Sequence, residues 1–195
     1  MVGLIPSSSG TLLRTFACIT IPNPQMKIVS NWLSFRRRES HELRWAYPET
    51  MHITLKFCGE RPSETVSMLL NNLKNISSIG QFDIYIEDIG GFPDLIRPRV
   101  VWASVKGDIE RLSALRNEVE KAALKASIPR ENKKYTPHVT IGRRNSDRPL
   151  PEEIISSMRS AELLTEPWTV REITLMRSEL SPMGPRYTPL GLFKI

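Results

Sequence analysis

The chain has 195 residues, 40% hydrophobic and 25% charged, and its 27 Lys and Arg outnumber 21 Asp and Glu for a net charge of +6. That mixture excludes wholesale disorder and supports one large domain or two small lobes sharing a core. The positive excess would steer a polyanion to the surface without identifying it.

Residues 1–12 read as an N-terminal tail and 13–195 as a single domain. The tail lacks a positive start followed by an apolar block, so it is a poor signal peptide. A strand is expected over 14–21, in Arg14-Thr15-Phe16-Ala17-Cys18-Ile19-Thr20-Ile21, stopped by Pro22 and Pro24. A helix over about 25–38 would bury Ile28, Val29, Trp32 and Leu33. It ends in Arg36-Arg37-Arg38, either a solvated helix end or a contact for a phosphate backbone.

The strand expected at 51–58 alternates cleanly. Met51, Ile53, Leu55 and Phe57 point one way; His52, Thr54 and Lys56 point the other. Ser63 is placed to cap a helix over about 64–76, with Val66, Leu69, Leu70, Leu73 and Ile76 as its buried stripe. A strand at 81–88, a loop at Gly90-Gly91-Phe92-Pro93 and a strand at 100–105 come next. Asp108 would cap a helix near 109–125. A polar loop then leads to the strand Tyr135-Thr136-Pro137-His138-Val139-Thr140-Ile141-Gly142-Arg143. A short helix near 151–160 and strands near 168–177 and 186–193 complete the chain. Strand, helix and a His-x-Thr strand occur early and recur late, which suggests two lobes of similar plan, each with helices on one side of a mostly antiparallel sheet.

Cys18 and Cys58 sit among apolar residues and read as buried free thiols rather than a disulfide framework. No apolar run is long enough to cross a bilayer. A cytoplasmic protein without a membrane partner is the simplest expectation.

Two of the three histidines stand in His-x-Thr, at His52-Ile53-Thr54 and His138-Val139-Thr140; His41 sits among charged residues and reads as surface. Side chains two apart share one face of a strand, so each motif presents an imidazole beside a hydroxyl while Ile53 or Val139 anchors the other face. Two imidazoles flanking a phosphorus can take a proton from attacking water and give one to the leaving oxygen near neutral pH. Threonine hydroxyls can donate to the non-bridging oxygens as charge grows. Either motif alone is better read as a half-buried structural histidine; the matched pair favours catalysis. Two histidines fall short of the three protein ligands a zinc site usually needs, and no acidic residue adjoins the motifs. No Gly-x-Ser-x-Gly elbow or phosphate-binding glycine loop is present.

From about Arg14 onward the chain is similar to the RNA 2',3'-cyclic phosphodiesterases, also called 2'-5' RNA ligases, of the two-histidine phosphoesterase superfamily. The resemblance rests on Arg14-Thr15-Phe16-Ala17, on Leu43-Arg44-Trp45 with Glu49 through Phe57, and on Gly91-Phe92-Pro93 with Arg97 through Trp102. It continues in Pro137 through Arg143, in Arg177-Ser178-Glu179-Leu180 and in Gly184-Pro185-Arg186-Tyr187. It implies a bilobal α+β fold with two mostly antiparallel sheets facing a central cleft and helices outside. It implies cofactor-free and metal-free hydrolysis of an RNA terminal 2',3'-cyclic phosphate to a 2'-phosphate by a monomer, tRNA fragments being among the candidate substrates. In that chemistry His52 protonates the leaving 3' oxygen, His138 accepts the proton of water, and Thr54 and Thr140 hold the phosphate. Reversal would join a cyclic-phosphate end to a 5'-hydroxyl end through a 2'-5' linkage. Arg14, Phe16, Lys56, Arg143 and Tyr187 are the further candidates for substrate contact; strict alternation puts Arg143 on the wrong face unless a twist or bulge intervenes. An RNA-binding module without hydrolysis, and a phosphodiesterase for another cyclic nucleotide or a 2'-5' oligonucleotide, remain alternatives.

Overall fold

The computed structural model describes residues 11–76, 79–160, 162–182 and 184–195, so residues 1–10 of the expected tail lie outside the described residues. The strands are β1 (Leu12–Thr20), β2 (Arg44–Trp45), β3 (His52–Pro62), β4 (Phe82–Phe92), β5 (Val100–Gly107), β6 (His138–Arg143), β7 (Trp168–Val170), β8 (Glu172–Ser181) and β9 (Gly184–Lys194). The helices are α1 (Asn23–Glu39), α2 (Ser63–Leu73), α3 (Ile109–Lys125) and α4 (Glu152–Ser160). The α+β class follows from the sequence: strands carry period-two burial, while α1 buries Gln25, Val29, Trp32 and Leu33 along one stripe.

The two sheets expected from sequence are halves of one antiparallel sheet, ordered β7-β4-β5-β6-β3-β1-β8-β9, with β2 added to β6. The halves join where Ile53 of β3 pairs with Val139 of β6. Beyond that pair β3 leaves β6, and β2 takes the vacated edge through Arg44↔Arg143 and Trp45↔Gly142. The half bearing His52 is built from both chain ends, β1 and β3 with β8 and β9, so the lobes are not consecutive repeats along the chain.

One sheet face is sealed by a continuous core. Ala17, Ile19, Ile53, Val101, Ala103, Val139 and Ile141 are all essentially buried, with α2 and α3 packed over β1 and β3. On the other half, Trp32 of α1 meets Trp45 edge-on at 6.3 Å. The Arg36–Arg38 run proves largely structural. Arg36 bonds Ser157 of α4 and Glu39, and Arg37 bonds the Ala46 carbonyl while its guanidinium lies over Tyr47. The opposite sheet face is left open and carries both histidines.

Three local expectations need correction. Ser63 does not cap α2; its N–H donates to the Thr11 carbonyl, and no side-chain cap bond forms. Ile28 is exposed because the buried stripe of α1 runs through Gln25, Val29 and Trp32. The glycines at 90 and 91 are not a loop but the end of β4, paired with Trp102 and Val101. A Cβ on residue 90 would lie 2.3 Å from the Trp102 ring, so glycine there lets the indole lie across β4. Asp108, by contrast, caps α3 as expected, accepting from the Arg111 N–H at 3.0 Å.

Candidate active site

The pairing of Ile53 with Val139 sets the geometry of the site. These are the middle residues of the two His-x-Thr motifs, and both are fully buried. Their flanking residues therefore project from the open face. Extending the antiparallel register one step each way puts His52 across from Thr140 and Thr54 across from His138. An approximate twofold thus relates the motifs, each histidine position facing the other motif's threonine position. Neither threonine hydroxyl is hydrogen-bonded to protein among the described residues, so both are free to donate to a ligand.

The ring settings repeat that symmetry. Nδ1 of His52 lies 2.9 Å from the Thr50 carbonyl, and Nδ1 of His138 lies 2.6 Å from the Thr136 carbonyl. A carbonyl only accepts, so each Nδ1 carries the proton and each neutral ring keeps an unprotonated Nε2. Aromatic walls fix the ring planes. Phe16 stacks on His52 at 4.5 Å and Tyr187 meets it edge-on at 5.4 Å. Around His138, Phe92 stands at 5.1 Å and Trp102 at 6.1 Å.

Both motif strands bulge at the same step. In β3 the register with β1 skips Leu55, and in β6 the register with β5 skips Ile141. The extra residue reverses the parity of the positions after it. Burial along His52–Phe57 and His138–Arg143 accordingly reads the same: two half-buried polar positions, an inverted pair of buried ones, then an exposed residue. Arg143 therefore reaches the open face, by the bulge that strict alternation lacks. Its charge is felt by His52, His138 and Tyr187. Lys56 goes the other way. It is 2% exposed, its Nζ donates to the Pro129 carbonyl at 2.9 Å, and it pairs with Glu120 of α3. It does not share a face with His52, because the Leu55 bulge turns it into the core.

The same parity change brings out Phe57, placed in the core by simple alternation; it is 57% exposed and 6.2 Å from Phe16. Phe16, a candidate substrate contact from sequence, is only 3% exposed, so it supports His52 and offers no free surface to a base. Tyr187 is half-buried, its ring edge-on to Phe16 and to His52. Arg14 is exposed, and its charge is felt by Tyr187. Sequence reasoning missed Phe57, Phe92 and Trp102, and also Tyr135, whose hydroxyl donates to the Thr54 carbonyl at 3.2 Å. The shared spacing of Phe57 and Arg143 from the two histidines was the available signal for the first.

Burial dominates the electrostatics. It pushes the His52 imidazole down to about 4; the Thr50 carbonyl opposes this, while His138 and Arg143 add to it. His138 is lowered too, by burial first, with the Thr136 carbonyl opposing and Arg143 adding. At neutral pH both rings are neutral in the free protein.

Residues 27–182 match the family model of the 2'-5' RNA ligase superfamily. The chain belongs to that superfamily. This superfamily member is 36% identical over 153 residues to an RNA 2',3'-cyclic phosphodiesterase of Aquifex aeolicus, a match covering 77% of the chain and 80% of the relative. It is 29% identical over 188 residues to an RNA 2',3'-cyclic phosphodiesterase of Methanothermobacter thermautotrophicus, covering 94% and 99%. Among solved structures, a Thermus thermophilus protein superposes with a TM-score of 0.77 at 27% identity, covering 93% of this chain and 97% of the other. Escherichia coli LigT, crystallised with 3'-AMP, shares the fold with a TM-score of 0.74 at 23% identity, covering 95% and 99%.

Within this 2'-5' RNA ligase superfamily member, no three His, Cys, Asp or Glu side chains converge among the described residues where they could hold a metal ion. Cys18 and Cys58 are free buried thiols, and burial pushes Cys18 up to about 12 and Cys58 up to about 11. They are poor nucleophiles in that state. No helix among the described residues is long and apolar enough to cross a membrane.

Proposed function

We propose that this protein hydrolyses the 2',3'-cyclic phosphate at RNA ends to a 2'-phosphate, using His52 as general acid and His138 as general base, without a metal. The observation that carries the reading is the meeting of both His-x-Thr motifs across the Ile53–Val139 pair, each Nδ1 tied to a backbone carbonyl. With Nδ1 occupied, Nε2 is the atom left to exchange a proton with substrate.

The reaction needs one imidazolium and one neutral imidazole. In the free site burial disfavours the proton on His52, so a substrate must help to restore it. The cyclic phosphate monoanion does this by standing beside the ring, favouring its charged form. The phosphorus then lies between the rings. His138 accepts a proton from water as its oxygen bonds to phosphorus; the bond to the ribose 3' oxygen breaks, and His52 supplies that oxygen's proton. The Thr54 and Thr140 hydroxyls and Arg143 meet the negative charge that grows on the non-bridging oxygens. With the 5'-hydroxyl of a second RNA in place of water, the same steps join it to the cyclic-phosphate end through a 2'-5' linkage: its oxygen bonds to phosphorus as His138 takes its proton, and the 3' oxygen leaves with the proton of His52, with no nucleotide energy source. Phe57, exposed beside this centre, supplies a stacking surface for a nucleobase, and Arg14 and Tyr187 border the same face.

RNA fragments, including those cut from tRNA, fit the basic open face. Two unpaired buried thiols favour a reducing compartment such as the cytoplasm. The protein would act as a monomer, since both motifs come from one chain.

The test is incubation of purified protein with an oligonucleotide ending in a 2',3'-cyclic phosphate, in excess EDTA. A 2'-phosphate product is expected, and His52→Ala and His138→Ala should stay folded while losing roughly 10²–10⁴-fold in rate. No turnover, or turnover only on adding metal, would refute the reading. A 3'-phosphate product would keep the hydrolysis and overturn the assigned leaving oxygen.

A further inference from the structure

Arg44 and Arg143 are directly opposite in the β2–β6 ladder. Opposed residues of an antiparallel pair point to the same face, and like charges there are destabilising. The face is the open one. The next pair, Trp45 and Gly142, is buried on the core side, where Trp45 bonds the Ser40 carbonyl and a Cβ on residue 142 would come within 3.3 Å of its ring. Arg44 and Arg143 are both exposed, and neither guanidinium has an acidic or hydrogen-bonding partner among the described residues. The nearest acid in sequence, Glu42, is already held by Arg144 at 2.6 Å. Two arginines at opposed ladder positions with no acidic partner are the arrangement an anionic ligand relieves.

The two are not equivalent. Arg143 influences both catalytic rings; Arg44 influences neither. Arg44 lies one strand further out, in the fork where β3 peels away from β6, on the chain leading to the Thr50 carbonyl that holds His52. An RNA whose cyclic end is at the motifs has its next phosphate on the 5' side of the terminal nucleoside, a second anion that the unpartnered Arg44 is placed to meet. Resting on the function proposed above, we infer that Arg44 binds the phosphodiester immediately 5' of the terminal nucleotide, making the site selective for RNA ends over nucleoside 2',3'-cyclic phosphates.

The test compares kcat/KM for a nucleoside 2',3'-cyclic phosphate with that for a dinucleotide bearing the same cyclic end. Wild type should prefer the dinucleotide, and Arg44→Ala should lower that preference roughly five- to tenfold, as loss of an exposed charge-assisted phosphate contact predicts. Arg44→Lys should restore part of it, keeping the charge but losing the planar fork. The slope of log(kcat/KM) against log salt for the dinucleotide should become shallower by about one in Arg44→Ala. Arg38→Ala, an exposed arginine at the end of α1, should leave the preference unchanged. The melting temperature of Arg44→Ala should not fall, since a like-charge opposition is removed; a purely structural arginine would lower it. An unchanged preference in Arg44→Ala, in a protein that turns over both substrates, overturns this inference and leaves the hydrolase standing. Turnover of neither substrate defeats both.

Discussion

Nζ of Lys56 lies 3.1 Å from Oε2 of Glu120, both side chains almost wholly buried beneath the histidine strands. Arg116 holds the other carboxylate oxygen at 3.2 Å and stacks over Tyr135 at 5.3 Å, and Tyr135 bonds the backbone of Thr54. The connection from α3 to the site is thus ionic, then aromatic, then backbone. Glu120→Gln would remove the shared counter-ion of two cations at once, so a loss of about 3 kcal/mol is expected, as for other broken buried pairs. At this chain length that is a fall of roughly 6–12 °C in melting temperature. Lys56→Met should cost clearly less, because Glu120 keeps Arg116. Thermal melts that reverse the order of the two variants would contradict the network.

The depressed histidines make activity and stability respond oppositely to acid. In the free enzyme the productive state has one protonated ring, and both rings titrate below 6.5. Above that pH, kcat/KM should fall about tenfold per pH unit. The corresponding limb of kcat should lie at higher pH, because bound phosphate favours the charged ring. Stability runs the other way. His52 has a folded value near 4, below its unfolded one. Its neutral form therefore contributes fully above about pH 6.5, and that contribution is lost as pH falls toward 4. Rates on a dinucleotide and melts between pH 4.5 and 8 check both limbs, and His52→Gln should flatten the second. A kcat/KM that rises with pH above 7 would show that the rings titrate elsewhere.

Much of this was legible in the sequence because burial leaves a period. Helices and strands fell close to their expected places, and Ile53 and Val139 marked the core face of each motif. What alternation could not supply was the bulge. One extra residue at Leu55 and at Ile141 exchanged Lys56 for Phe57 and delivered Arg143, and no local propensity distinguishes a bulged from a straight strand of the same apolar character. The fusion of two sheets into one was equally hidden, since it rests on a single long-range pair. Gly90 read as a loop because glycine usually does; its reason is an indole contributed by a neighbouring strand.

That indole yields a test through a residue outside both motifs. Gly90→Ala puts a methyl within 2.3 Å of the Trp102 ring. Trp102 must tilt, and Phe92 and His138 lean on it at 5.2 and 6.1 Å. Overpacking of this kind costs about 1–3 kcal/mol, which a 195-residue domain survives. The expected result is a folded protein with altered tryptophan fluorescence and a kcat reduced more than KM is raised. Unchanged fluorescence and rate would mean that the indole does not position His138.

Phe16 and Phe57 stand 6.2 Å apart, yet the structure gives them opposite parts. Phe16 is 3% exposed and stacked on His52, whereas Phe57 is 57% exposed. Phe16→Leu removes the wall behind the imidazole and leaves a small gap, so kcat should drop while stability falls by about 1–2 kcal/mol. Phe57→Ala removes surface that only a ligand covers. Base stacking is worth about 1–3 kcal/mol per base, so KM should rise roughly tenfold with the melting temperature unchanged. Measured together on one substrate, the two variants should separate along kcat and KM. The crossed pattern, with Phe57→Ala unfolding the protein and Phe16→Leu weakening only binding, would show that the bulge at Leu55 does not turn these strands as described.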